Sequence, residues 1–125
     1  KNLAIINNIP WETTFNENKK PVITKKLQVG QDVKAVIYNG FQDKNRSHLF
    51  AQNSRAKSIC ITYRELEISK TVTLRDTLEP QIIELSDLLQ NIGEEATIDI
   101  KIESVYPGTK YNDVCIQAII PTWRN

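Results

Sequence analysis

A chain of 125 residues is the size of one ordinary domain and can bury roughly two thirds of the surface its unfolded form exposes. Hydrophobic residues make up 40% and charged residues 25%, a globular composition rather than that of a disordered or membrane chain. With 16 basic against 15 acidic residues the formal charge is only +1, so nothing draws the chain to phosphate backbones or anionic lipid, and nucleic acid is excluded as a partner.

Period-two alternation broken by turn residues runs through the chain. Leu3–Ile9 and Val22–Leu27 are expected strands, and Val33–Tyr38 is a third that ends at Asn39-Gly40, where a positive φ is cheap. Lys57–Tyr63 places Ile59, Ile61 and Tyr63 on one face, and Glu65 and Glu67 then flank a hairpin turn. Val72 and Leu74 alternate with Thr71, Thr73 and Arg75. Ser86–Asn91 is compatible with one helical turn, capped by Ser86 and stopped by Gly93. Ile98, Ile100 and Ile102 alternate with Asp99, Lys101 and Glu103, and Val114, Ile116, Ala118 and Ile120 mark a last strand that runs into Pro121. Seven or eight short strands with frequent turn signals predict an all-β chain, an antiparallel β-sandwich forming one domain over residues 1–125.

No apolar run approaches the roughly 18 residues that cross a bilayer, so no membrane insertion is expected. The chain opens on Lys1 and has no methionine, as expected of a mature or excised piece of a longer protein. Cys60 and Cys115 stand far apart, which excludes a CxxC motif and a zinc ribbon. Two buried free thiols are expected, a single bridge being the alternative.

Three loops carry aromatics together with Asn, Arg, Lys and Asp, the side chains of polar recognition on a rigid scaffold. They are Asn39-Gly40-Phe41-Gln42 through Ser47, Phe50 through Arg55, and Val105 through Asp113. Catalytic groups are missing. His48 is the sole histidine, the Glu94–Glu95 pair lies in a turn, and the four glycines form no phosphate loop. No enzyme activity, no cofactor and no metal site is expected.

The same loops carry a family likeness. Ile37-Tyr38-Asn39-Gly40-Phe41, Asn53-Ser54-Arg55-Ala56-Lys57, Leu74-Arg75-Asp76-Thr77 with Gln81, and Val105-Tyr106-Pro107-Gly108-Thr109-Lys110-Tyr111-Asn112-Asp113-Val114-Cys115-Ile116 occur in this order. In these runs the chain resembles the discoidin-like domain attached to bacterial NAD glycohydrolases, over roughly residues 22–120. The resemblance implies a galactose-binding-domain-like sandwich of jelly-roll type, usually described as glycan-binding and without enzymatic activity. Two departures stand out. Residues 1–21 lack the family's Asp-rich loop and Trp-containing segment, and the chain reads Ile116-Gln117-Ala118-Ile119 where Ile-Ser-Glu-Ile is usual. In related domains that glutamate helps hold a structural calcium; with Ala118 in its place the site should be absent.

The expected ligand-binding residues are Phe41, Gln42, Phe50, Asn53, Arg55, Tyr106, Lys110, Tyr111 and Asp113. Each has a competing structural role. Phe41 and Phe50 suit the apolar face of a sugar ring but equally suit plugging the end of the sandwich. Arg55 suits a ligand hydroxyl or carboxylate, or a bridge to Asp113 that ties two loops together. Tyr106 and Tyr111 flank Pro107-Gly108, a type II turn signature with Gly108 at positive φ, and at least one should pack on the sandwich. Trp123 is expected over the core beside the last strand. The leading expectation is non-catalytic recognition of a glycan or glycoprotein by part of a larger secreted or cell-surface bacterial protein. The alternative is a protein–protein module for assembly, secretion or translocation of a partner domain, working through a sandwich face or an edge strand. An exposed contiguous apolar patch would favour the alternative.

Overall fold

The computed structural model describes residues 9–28, 30–89 and 95–124. Among these are eight strands and one short helix: β1 (Trp11–Thr14), β2 (Val22–Gln28), β3 (Gln31–Asn39), α1 (His48–Gln52), β4 (Ser54–Tyr63), β5 (Ile68–Thr73), β6 (Gln81–Glu84), β7 (Glu95–Tyr106) and β8 (Asp113–Arg124). The strands form two antiparallel halves, β2-β7-β4-β5 and β1-β8-β3-β6. A short parallel seam joins the halves, where Ser54 and Arg55 of β4 run beside Val114 and Cys115 of β8. The all-β sandwich expected from the alternation is what the chain builds, with this seam making the two halves one continuous mixed sheet.

The alternating residues explain the core. Ile98, Ile100 and Ile102 of β7 lie opposite Tyr63, Ile61 and Ile59 of β4, and all six are buried. From the other half Val33, Ala35, Ile37, Ile83, Val114 and Ile116 join them in one hydrophobic cluster. Directly opposed residues in a ladder share a face, so each half turns one apolar face inward and the two meet in a common core.

Several elements depart from the expected ones. Leu3–Asn8 lies outside the described residues, and Ile9 is exposed coil. The one helical turn expected over Ser86–Asn91 is present in its described part, where Leu88 and Leu89 donate to the Leu85 carbonyl; Asn91 and the expected stop at Gly93 lie outside the described residues. Ser86 does not cap it; its hydroxyl donates to Glu84, and Asp87 accepts from the Leu88 amide instead. The helix is α1, in a stretch that reads as polar loop. β5 starts three residues before the expected strand and ends before Leu74, which is buried just beyond it. Pro121 is inside β8, opposite Ala35. The residue lacks an amide donor, and β8 beyond Ile116 has no neighbour on its second edge among the described residues, the setting in which a strand tolerates proline. Trp123 is 40% exposed, whereas Trp11 packs against the core. Cys60 is half-buried and Cys115 buried, both as free thiols.

Candidate functional site

The three loops come together at the end of the sandwich where the parallel seam lies. Gly40, at φ 77°, lets the chain turn out of β3, and its amide donates to the Cys115 carbonyl (3.0 Å). A side chain at this position would strike the Phe50 ring and the Arg55 stem, at 2.6 and 2.8 Å. The amides of Thr109, Lys110 and Tyr111 bond the carbonyls of Ala51 and Gln52, zipping the third loop onto α1. Gly108 donates to the Ser54 hydroxyl (3.0 Å). Contrary to the type II expectation, Gly108 does not have a positive φ. Glycine is needed there because a Cβ would overlap the backbone of Gln52, Asn53 and Ser54.

Most of the polar loop residues are engaged inside the protein. The Asn39 side chain, fully buried, bonds both the carbonyl and the amide of Ala56 (2.8 and 3.0 Å). Gln42 donates through Nε2 to the Asn39 and Leu78 carbonyls, and its amide donates to Gln117. Gln81 grips the Arg75 amide and carbonyl in the same two-pronged way. Asn53 turns back on the Leu49 carbonyl at the end of α1. Tyr106 is the tyrosine that packs on the sandwich, its hydroxyl donating to the Leu74 carbonyl (2.7 Å).

Arg55 has a different partner from the one expected. Its Nε and Nη2 reach the two carboxylate oxygens of Asp76, each at 2.9 Å. Nη1 donates to the carbonyls of Phe50, Ala51 and Asn53, and the guanidinium lies 5.3 Å from the Phe50 ring centre. Asp113 instead accepts a long bond from Thr14 (3.4 Å). The β4–β5 ladder ends at the Ser58–Thr73 pair; beyond it Arg55 lies beside Cys115 of β8, and its side chain reaches Asp76 in the loop that follows β5.

Of the nine candidate residues, five present ring or ammonium surface to solvent, Tyr106 being half-buried beside Lys57. Phe41 and Phe50 are half-buried and border, with Leu78, a concave space of about 320 Å³ whose other lining comes from Gln42, Asp43, Lys44 and Ser47. Lys110 and Tyr111 are exposed on the third loop, the ammonium 5.4 Å from the ring centre. Leu78, Asp43, Lys44 and Ser47 escape a reading by motif, because only the folded loops bring residue 78 to residues 41–50. Asp43 accepts from Arg46 (3.0 and 2.8 Å) and from the Asn45 amide (2.8 Å), and the Arg46 guanidinium foremost holds its carboxyl below the usual range. Burial pushes the Cys115 thiol up to about 12, with Glu12 and Asp113 adding to it. No cluster of three or more His, Cys, Asp and Glu suited to a metal ion occurs among the described residues.

The outer faces of the two halves differ sharply in character. On β2-β7-β4-β5, Thr24, Asp99, Thr62 and Ser69 make one row across four strands, with Arg64 bonded to Asp99 and Thr24. On β6-β3-β8 the corresponding row is Ile82, Val36 and Ile120. Tyr38 and Ala118 sit beside it as an opposed pair two residues on, and on its other side lies the polar row Glu84, Lys34 and Thr122. Ile82 is 67% exposed.

A family model for the NAD glycohydrolase translocation F5/8 type C domain matches residues 16–121. The chain belongs to that family. Its members are translocation domains rather than the catalytic part of a glycohydrolase, and the chain is accordingly a non-enzymatic, discoidin-like domain. The solved structures include a similar one, the translocation domain of the Streptococcus pyogenes NAD+-glycohydrolase determined by NMR, with a TM-score of 0.49 and 16% identity over 87% of this chain and 96% of that one. A search of the curated proteins gave no match. No helix among the described residues is long and apolar enough to cross a membrane.

Proposed function

We propose that this chain is a non-catalytic docking module that holds a partner protein, or another domain of its own parent chain, during translocation or assembly of a secreted bacterial polypeptide. The observation that carries the reading is the apolar patch on the outer face of β6-β3-β8, bordered by Glu84, Lys34 and Thr122. A solvated sandwich face normally alternates with polar residues, as β2-β7-β4-β5 does here. A row of Ile82, Val36 and Ile120 flanked by Tyr38 and Ala118 instead resembles the centre of a protein interface. The translocation named in the family description supports the same direction.

The test places one charge on each outer face of the full parent polypeptide. Ile82→Glu should abolish its translocation, whereas Ser69→Glu on the polar face should leave it intact. Both positions are exposed, so each variant of the 125-residue chain should melt within about 0.5 kcal/mol of the unsubstituted chain. Normal translocation of the Ile82→Glu polypeptide overturns the reading.

Glycan recognition is the second reading, favoured by the Phe41 and Phe50 rings beside the loop-end groove. Sugar hydroxyls need several convergent polar groups, and the Gln42 and Asp43 groups there are already bonded within the protein. That ranks it below docking.

A further inference from the structure

The loop-end groove is a separate surface from the β6-β3-β8 face. Its apolar part is Phe41, Phe50 and Leu78, the last 54% exposed. Its polar part is uneven. Gln42 commits its Nε2 to the Asn39 and Leu78 carbonyls and its backbone amide to Gln117, and the residue is buried. The Asp43 carboxylate is met by the Arg46 guanidinium and the Asn45 amide, so the negative charge in the groove is compensated. Lys44 and the Ser47 hydroxyl are exposed and have no bonding partner among the described residues. What is left to a ligand is an apolar concavity with one uncompensated ammonium and one hydroxyl.

We infer that this groove takes a bulky apolar side chain of a protein segment whose neighbouring residue is acidic. The apolar walls accept a phenylalanine, tyrosine or leucine side chain, burying surface at roughly 25 cal/mol per Å². Lys44 then meets the adjoining carboxylate, and Ser47 donates to it or to the peptide backbone. A sugar ring would find the rings of Phe41 and Phe50 but only two groups for its hydroxyls. A basic segment would face the Lys44 ammonium with no free carboxylate to answer it. The site is a shallow one, so a single segment binds weakly and the parent polypeptide supplies avidity.

The test is an NMR titration of the 15N-labelled 125-residue chain with three probes: acetyl-Asp-Phe-Asp-amide, acetyl-Lys-Phe-Lys-amide and methyl β-galactoside. The acidic peptide should shift the amides of Phe41, Ser47 and Leu78 and bind roughly two- to fivefold more tightly than the basic one, as expected of one exposed charge pair. The preference should fade at 1 M salt, where the Debye length is about 3 Å. Lys44→Glu should reverse the order of the two peptides, and Leu78→Asp should weaken both without moving the melt. Equal or inverted affinities in the unsubstituted chain, no shift at these amides, or galactoside shifting them where the peptides do not, each overturns the inference. Ile82→Glu should leave every one of these titrations unchanged, so failure here and failure of the docking face are told apart.

Discussion

Removing the Arg55 guanidinium should destabilise the loop end more than any other single truncation there. The side chain is 10% exposed and makes two bonds to Asp76 and three to backbone carbonyls of α1 and its end. Arg55→Ala leaves Asp76 unpaired and three carbonyls without a charged donor, a loss of about 3–4 kcal/mol. For a domain of this size about 4 °C accompanies each kcal/mol, so the melting midpoint should fall by roughly 12–16 °C. Asp76→Ala should cost less, about 1–3 kcal/mol, because Asp76 is 36% exposed and Arg55 keeps its three carbonyls. The double variant should be less destabilised than the sum of the singles, by about 0.5–3 kcal/mol. Asp113→Ala, which loses one long bond to Thr14, should stay within about 0.5 kcal/mol. Thermal melts by circular dichroism of these four variants decide the matter. Strict additivity of Arg55 and Asp76, or an Asp113→Ala loss equal to that of Asp76→Ala, refutes the assignment.

Gly108→Ala should lower the urea midpoint by the equivalent of about 1–3 kcal/mol through overlap with the backbone of residues 52–54, although alanine accepts the backbone angles; an unchanged midpoint would show that the third loop can move off α1. With its thiol pushed up to about 12 from an ordinary 9.0, Cys115 should stay unreactive toward a disulfide reagent at pH 8 in the folded chain, while half-buried Cys60 reacts first. The unfolded thiol releases its proton near its ordinary value and the folded one far later, so this group's contribution to stability is fully present below about pH 9 and is lost as pH rises toward 12. Urea midpoints at pH 7 and pH 10 for the unsubstituted chain and for Cys115→Val should show that this part of the decline disappears in the variant.

The strands were legible wherever one face of a strand is buried and the other wet. Ile98, Ile100 and Ile102 declared β7, and Ile59, Ile61 and Tyr63 declared β4, because period two and burial coincide there. β6 has only Gln81 to Glu84 to announce itself, and α1 only five residues with no apolar period, too little for either pattern to emerge. The loops were found, but their internal bonding was not, since it depends on which loops the fold brings together. Arg55 meets Asp76 and not Asp113 because the loop after β5 passes beside the start of β4, a proximity no spacing rule reports. Gly108 was flagged for the wrong cause: Pro-Gly suggested a backbone angle, while the constraint is proximity to a loop more than fifty positions away in the chain. Leu78 joined the groove unannounced for the same reason.

The position of β8 in the sheet has a consequence for how such a chain folds. β8 is the last of the eight strands in order, and it borders β1, β3 and β4. A polypeptide emerging from a ribosome with its amino end first can form the β4–β5 hairpin early. It cannot join its two halves until residues 113–124 have followed. Pairings of this sequence separation close slowly, so β8 is expected to be the last strand in place: the two halves become one sheet only when Ser54 and Arg55 meet Val114 and Cys115.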